Sequence, residues 1–367
     1  MKILILANHD LGLYQFRKEL IQELLKKGEV FISLPTGRFI KDFEKMGCKF
    51  IETPVDRRGI NPLKDLELMI SYYDIVKRIK PDLVITYTIK PNVYGGIVCR
   101  LLKCEYAINI TGLGTAFEKE GLLKKLVIRM YKVACKKAKV VFFENEENRC
   151  LFIENGIINS ERACKLNGAG VNLERYKVEE YPTDEKVRFL FMGRVMAEKG
   201  INELFVAMKR LISNGVNCEL DVLGEYEENY REAIRKYEQE DWLHYYGYQK
   251  DVRPFIKRCH CFVLPSWHEG MANTNLECAA SGRPVITTKI HGCMEAVIDG
   301  KTGFLVARKD SADLCKAMKK FVALSNDEAR TMGLAGRKHM ENWFDKNKVV
   351  HETIAKLMQK VINKKQV

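Results

Sequence analysis

Short apolar runs alternate along this chain with longer segments in which apolar residues recur every three or four positions. In the first half the runs KILILA (2–7), EVFISLP (29–35), KFIETP (49–54), DLVITYT (82–88), YAINIT (106–111) and VVFFEN (140–145) read as strands. Helical periodicity fills the gaps at about 15–27, 38–47, 62–80, 92–103, 122–137 and 146–155. Strands that are apolar throughout, regularly separated by amphipathic helices, predict a parallel sheet covered on both faces. The pattern lapses over 167–186, where glycine, asparagine, proline and charge predict an interdomain linker. It resumes with strands at 187–193, 218–224, 243–247, 260–265, 283–288 and 303–307. Two doubly wound α/β domains are therefore expected, 1–170 and 171–344. A long amphipathic helix over 341–365 either caps the second domain or returns to the first.

The length of 367 residues suits two such domains. Twelve cysteines lie scattered in apolar contexts, as for Cys99, Cys135 and Cys278, which predicts buried thiols in a reducing compartment. Cys259-His260-Cys261 and His291-Gly292-Cys293 lack the spacing of a paired metal site. The first strand follows Met1 directly and its apolar run is too short for a leader; no stretch reaches the length of a membrane span. A net charge of +13 calls for an anionic partner. Nucleic acid is not expected, because aromatic and basic residues are not interleaved on one face as stacking platforms require. The segment 117–139 carries eight Lys/Arg against two glutamates, with Leu122, Leu123, Leu126, Val127, Met130 and Tyr131 among them. It predicts a basic amphipathic helix suited to an anionic membrane surface.

In open parallel sheets the chemistry sits in loops at the carboxyl ends of strands. Two such loops in the second half stand out. The run 269-EGMANTNLE-277 places Glu269 ahead of a helix and Glu277 one turn in, sharing a face with Asn273. Asn273 and Thr274 are candidate caps, and Ser281-Gly282 a candidate end. The run 193-GRVMAEKG-200 offers Gly193 for close backbone approach, the planar fork of Arg194 and the point charge of Lys199. Carboxylates bind sugar hydroxyls and cations bind phosphates, so together the runs suit a nucleotide-diphosphate sugar. No D-x-D occurs, so the reading is metal-independent and without cofactor. In the first half, Gly12 and Tyr14 fall in the run 8-NHDLGLYQFR-17, with Arg17 at the helix start; Tyr14 and Arg17 are candidates for the acceptor, and Arg57, Arg58 and Lys90 form a basic rim suited to a phosphate-bearing one. The run after the fifth strand, whose glycines could admit a ligand between the domains, adds Thr111 and Gly112 to the acceptor candidates.

Over nearly its whole length the chain resembles the retaining glycosyltransferases of family 4, which have the GT-B fold of two Rossmann-like domains facing across a cleft. Glu269 and Glu277 match that family's E-x7-E signature, and Gly193-Arg194 with Lys199-Gly200 match G-R-x4-K-G. Within the family it is similar to transferases that extend undecaprenyl-diphosphate-linked glycans, such as the N-acetylgalactosaminyltransferase of the bacillosamine pathway and capsule and O-antigen enzymes. The shared pieces are YQFR (14–17), INP (60–62), KPN (90–92), GLGTAFEKEG (112–121) and HGCMEAV (291–297). The resemblance implies that Arg194 and Lys199 bind the donor diphosphate and Glu277 the ribose. Glu269, with the backbone of Gly270, Met271, Ala272, Asn273 and Thr274, would orient the transferred sugar. Gly12 would close on the phosphates, and the base would lie near Gly224 and Tyr248. The C-terminal helix, about 345–367, would pack on the first domain. Where many members have Gly-Phe-Pro, this chain has Gly270-Met271-Ala272, and the first-domain loop Ile110-Thr111-Gly112 lacks the histidine common there. The expected activity is hexosyl transfer from a UDP-sugar, an N-acetylhexosamine or hexuronic acid, to a polyprenyl-diphosphate-linked saccharide, at the cytoplasmic face of a membrane. The alternative expectation is a UDP-sugar epimerase on the same fold.

Overall fold

The computed structural model describes residues 1–56, 59, 61–113, 117 and 121–359. It divides into two compact units, Met1–Ala169 with Asn347–Val367, and Gly170–Lys346.

The first unit runs β1 (Lys2–Leu6), α1 (Asp10–Leu25), β2 (Glu29–Leu34), α2 (Ile40–Lys45), β3 (Lys49–Glu52), α3 (Pro62–Ile79), β4 (Leu83–Tyr87), α4 (Gly96–Leu101), β5 (Tyr106–Ile110), α5 (Leu122–Cys135), β6 (Val140–Phe143), α6 (Glu146–Glu154) and β7 (Ala163–Lys165). All pairings are parallel, in the order β3-β2-β1-β4-β5-β6-β7. Strands β4, β5 and β6 are buried throughout, as covering on both faces demands. Alternate residues of β1 feed opposite faces: Leu4 and Leu6 join the core beneath α3–α5, Ile3 and Ile5 the core beneath α1 and α2. Chain order reverses between β1 and β4, so the switch point of this sheet lies there.

The second unit runs β8 (Val187–Met192), α7 (Ile201–Ser213), β9 (Cys218–Leu223), α8 (Arg231–Gln239), β10 (Leu243–Gly247), α9 (Arg253–Arg258), β11 (Cys261–Leu264), α10 (Asn273–Ala280), β12 (Val285–Thr288), β13 (Gly303–Val306), α11 (Ser311–Val322) and α12 (Asn326–Trp343). Its parallel sheet has the order β10-β9-β8-β11-β12-β13, with the switch point between β8 and β11.

Three expectations change. The predicted helix over 341–365 is two helices, because α12 stops at Trp343 and α13 (Lys346–Met358) starts anew. The break is made by Phe344 and Lys346, whose backbones bond Val171. Val349 and Leu357 of α13 are buried in the first unit's core. The second change is at 8–14, read as a loop: α1 begins at Asp10, capped by the ring of His9 accepting from the Gly12 N–H. Gly12 and Tyr14 are therefore helical, and Arg17 lies inside the helix rather than at its start. The third is at 92–103, where a π-turn over Pro91–Gly95 precedes α4. Thr88 there takes a left-handed φ of 72°, and buried Asn92 bonds Thr86 and the Asn109 carbonyl. A β-branched residue in that region is strained, and π-turns concentrate at functional sites.

Candidate active site at the switch point of the second domain

The runs singled out by charge leave neighbouring strands. Gly193 follows β8 and Glu269 lies beyond the end of β11, with β8 and β11 hydrogen-bonded side by side. After β8 the chain makes a 3-10 turn over Ala197–Lys199 and enters α7 through Gly200 at a φ of 74°. A Cβ on Gly200 would stand 2.0 Å from the Pro265 carbonyl oxygen, so only glycine lets this turn lie on the other loop. The two are then stitched together: Trp267 N–H and Ser266 Oγ both donate to the Glu198 carbonyl, at 2.9 and 3.2 Å. The result is an ion pair, Lys199 Nζ to Glu269 Oε1 at 2.5 Å, with both side chains mostly buried. Beside it His268 Nε2 and Glu198 Oε2 stand 3.4 Å apart. Arg194 is half exposed, 3.4 Å from Glu227.

Three glycines converge at the next strand ends. Gly193 N–H bonds the Leu223 carbonyl, and Gly224 N–H the Gly247 carbonyl. Gly224 has a φ of 140°, and a Cβ there would be 1.8 Å from the Gly193 carbonyl oxygen. Tyr248 follows Gly247. The strand ends thus pack backbone against backbone through glycine.

Helix α10 begins at Asn273, with Ala272 at the cap position and no capping side chain. Asn273 is inside the helix rather than its cap, because its N–H and Nδ2 both turn back to the Met271 carbonyl. Gly270, Met271 and Ala272 are buried. Thr274 is half-buried in the first turn, and Ser281 ends the helix ahead of Gly282 at a φ of 76°. Glu277 projects one turn in, against Tyr176. Burial pushes its carboxyl up to about 7, partly offset by the Tyr176 hydroxyl, Lys346 and Arg175.

Sequence reasoning missed the support of this loop. Buried Asn275 donates to Thr287, whose hydroxyl donates to the Leu264 carbonyl. Ala272 N–H donates to the Gly292 carbonyl at 2.7 Å. The signal was present in the shared run HGCMEAV, but spacing alone does not say what it touches.

In the first unit, Arg17 is buried in an ion pair with Glu144 and lies 5.3 Å from the Tyr87 ring centre. Tyr14 stacks on Phe39 at 4.7 Å. Lys90 is held by Asp65 at 2.6 Å, and Asp65 also accepts from Tyr94. Thr111 and Gly112 follow β5, with Gly112 at a φ of 146°. A Cβ on Gly12 would meet nothing within 4 Å. Arg57 and Arg58 lie outside the described residues. Arg17 and Tyr14 are thus engaged in the packing of α1, and Lys90, beyond the end of β4, is tied to Asp65 of α3.

Residues 2–145 match the model of the family described as Glycosyl transferase 4-like, and residues 174–339 that of Glycosyl transferases group 1, one for each domain. The chain is a GT-B glycosyltransferase. This glycosyltransferase is 26% identical, over 99% of both chains, to the N,N'-diacetylbacillosaminyl-diphospho-undecaprenol alpha-1,3-N-acetylgalactosaminyltransferase of Campylobacter jejuni. It is 26% identical to the capsular polysaccharide biosynthesis glycosyltransferase CapM of Staphylococcus aureus, over 88% of each. A UDP-Gal:alpha-D-GlcNAc-diphosphoundecaprenol alpha-1,3-galactosyltransferase of Escherichia coli is 25% identical, over 84% of this chain and 83% of that one. Among solved structures, HepE of Anabaena in complex with UDP and glucose superposes with a TM-score of 0.81 at 16% identity, over 97% of this chain and 99% of that one. The epimerase alternative finds no support in these relatives, which are transferases.

Proposed function

We propose that this glycosyltransferase moves a sugar from a UDP-sugar to a polyprenyl-diphosphate-linked saccharide, with retention and without a metal ion. The observation that carries the reading is the meeting of Lys199 and Glu269 at the switch point of the second sheet. The first grips phosphate and the second sugar hydroxyls. Arg194 and Lys199 face the β-phosphate, where negative charge grows as the C1–O bond breaks, and fixed cations there favour the transition state over the ground state. Glu277 accepts from the ribose hydroxyls, the base lies over Gly224 toward Tyr248, and Glu269 with the backbone of 270–274 holds the transferred ring. An acceptor hydroxyl attacks from the departing side. Its oxygen bonds C1, and its proton passes to the phosphate oxygen that becomes free UDP.

The acceptor reading draws on the named activities of the Campylobacter and Escherichia relatives. Lys90, Thr111, Gly112 and the rim at Arg57 and Arg58 are the first-domain groups proposed to receive it. An N-acetylhexosamine or hexuronic acid is the proposed cargo. Helix α5 is proposed to rest on an anionic membrane at its cytoplasmic face: Leu122, Leu123, Leu126 and Val133 are exposed among Lys125, Arg129 and Lys132. Among the described residues, no helix is long and apolar enough to cross a membrane.

The test is UDP release from a panel of UDP-sugars, with and without a detergent extract of bacterial lipid-linked saccharides. Acceptor-dependent release from one donor, lost in Arg194→Ala and Glu269→Ala, is the expected result. Turnover of a donor to an isomer without UDP release would overturn it.

A further inference from the structure

The turn after β12 forms the floor of the donor loop. Gly292 has a φ of 88°, and a Cβ there would stand 2.6 Å from the Glu269 carbonyl oxygen and 2.8 Å from that of Gly270. Its own carbonyl receives the Ala272 N–H at 2.7 Å. The backbone of 269–272 is thus set against the backbone of Gly292, with no side chain between.

What sets Gly292 is Glu295. One carboxylate oxygen accepts from the Gly292 N–H at 2.7 Å, and the other is 2.8 Å from Nδ1 of His291. The Glu295 carbonyl lies 2.9 Å from Nε2 of His339 on α12, so the residue is anchored to a helix as well as to the turn. Both carboxylate oxygens are engaged within three or four residues, and the 291–295 turn is closed on itself independently of Lys199 and Glu269.

We propose that Glu295, fixed by His291, is a positioning residue for the transferred sugar: through Gly292 it sets where Glu269 and the 270–272 backbone stand. The proposal rests on the reading of Glu269 given above. Glu295 touches neither diphosphate nor base in that reading, since those fall to Arg194, Lys199 and the glycines after β8 and β9. Its loss should therefore act on the sugar end of the donor alone. Small displacements of positioning groups cost large factors in rate, because the reacting atoms must be aligned.

The experiment compares Glu295→Ala, Glu295→Gln and His291→Ala with the parent, using the UDP-sugar that the parent turns over fastest in the panel. Glutamine keeps an acceptor for the Gly292 N–H; alanine does not. Expected is a fall of roughly tenfold to a hundredfold in kcat/KM for Glu295→Ala. UDP inhibition should be unchanged within about twofold, with most activity restored in Glu295→Gln and a smaller fall in His291→Ala. Equal loss of UDP affinity and turnover would overturn the proposal, as would full activity in Glu295→Ala. Should Glu295→Ala not fold, the split between turnover and UDP inhibition is read on His291→Ala, whose ring is exposed. Glu269→Ala run alongside separates the two claims: if it retains full activity the donor reading fails, and if it alone is inactive only the role of Glu295 fails.

Discussion

Lys199 and Glu269 stand 70 positions apart in the chain and 2.5 Å apart in space, because β8 and β11 are neighbours in the sheet. Each neutralises the other, so on the proposed reading a UDP-sugar entering the site must share or part the pair. The two residues should then behave as a unit. Lys199→Ala and Glu269→Ala should each lower kcat/KM by about a hundredfold. The double variant should lose much less than the product of the two. A double-mutant cycle on donor turnover checks this, and multiplicative losses would mean that the residues act independently.

Glu277 gives a pH dependence with a definite sign. Its carboxyl sits near 7 in the folded protein against an ordinary value of 4.5. Holding it ionised costs nothing below about 4.5, where both states are protonated, and the cost is complete above about 7. Glu277→Gln should therefore melt with the parent at about pH 4 and above it at about pH 8. Donor affinity should move the other way in the parent, since a carboxylate offers more acceptors to a ribose diol than a carboxylic acid does. The KM for UDP-sugar should fall as pH rises through about 7, and Glu277→Gln should abolish that trend.

Two glycines separate fold from function. Gly224→Ala puts a methyl group 1.8 Å from the Gly193 carbonyl oxygen, so melting temperature and UDP affinity should fall together. Gly12→Ala meets nothing within 4 Å and lies inside α1. Alanine there should stabilise the helix by about 0.5–1 kcal/mol. If Gly12 admits donor phosphates, turnover should fall while the melting temperature holds or rises.

Arg17 should prove a stability residue. Its guanidinium is buried against Glu144, and removing one member of a buried pair costs about 3 kcal/mol. Arg17→Ala should lower the denaturation midpoint strongly, with the acceptor KM little changed in the protein that remains folded.

The basic helix is testable without chemistry. Co-sedimentation with vesicles containing anionic phospholipid should be lost in a Lys125→Glu, Arg129→Glu variant and weakened by high salt. Binding that ignores both changes would remove α5 from the membrane reading.

Most strands of both sheets could be read from the sequence because burial on both faces leaves runs such as VVFF and CFVL without polar interruption. β7 was not legible: Ala163-Cys164-Lys165 is three residues long and only one of them is buried. Nor was the break between α12 and α13, since apolar residues continue with helical spacing across a point where Val171, far away in sequence, captures the backbone. The runs 193–200 and 269–277 were legible by type and spacing, and the switch-point topology explains why they fall together. Their pairing was not, because a charge reads the same whether it faces solvent or a partner. For the same reason the sequence did not show that Arg17 is buried against Glu144, and Glu295 went unremarked inside a run of small and apolar residues.

The seat that α13 fills with Val349 and Leu357 belongs to a core otherwise built from residues before Ala169. During synthesis that seat stays open until the whole second domain has been translated. The first domain thus waits on the ribosome with an uncovered apolar strip, at the stage when a chain is most exposed to aggregation. A fragment ending near Ala169 should carry the same liability permanently.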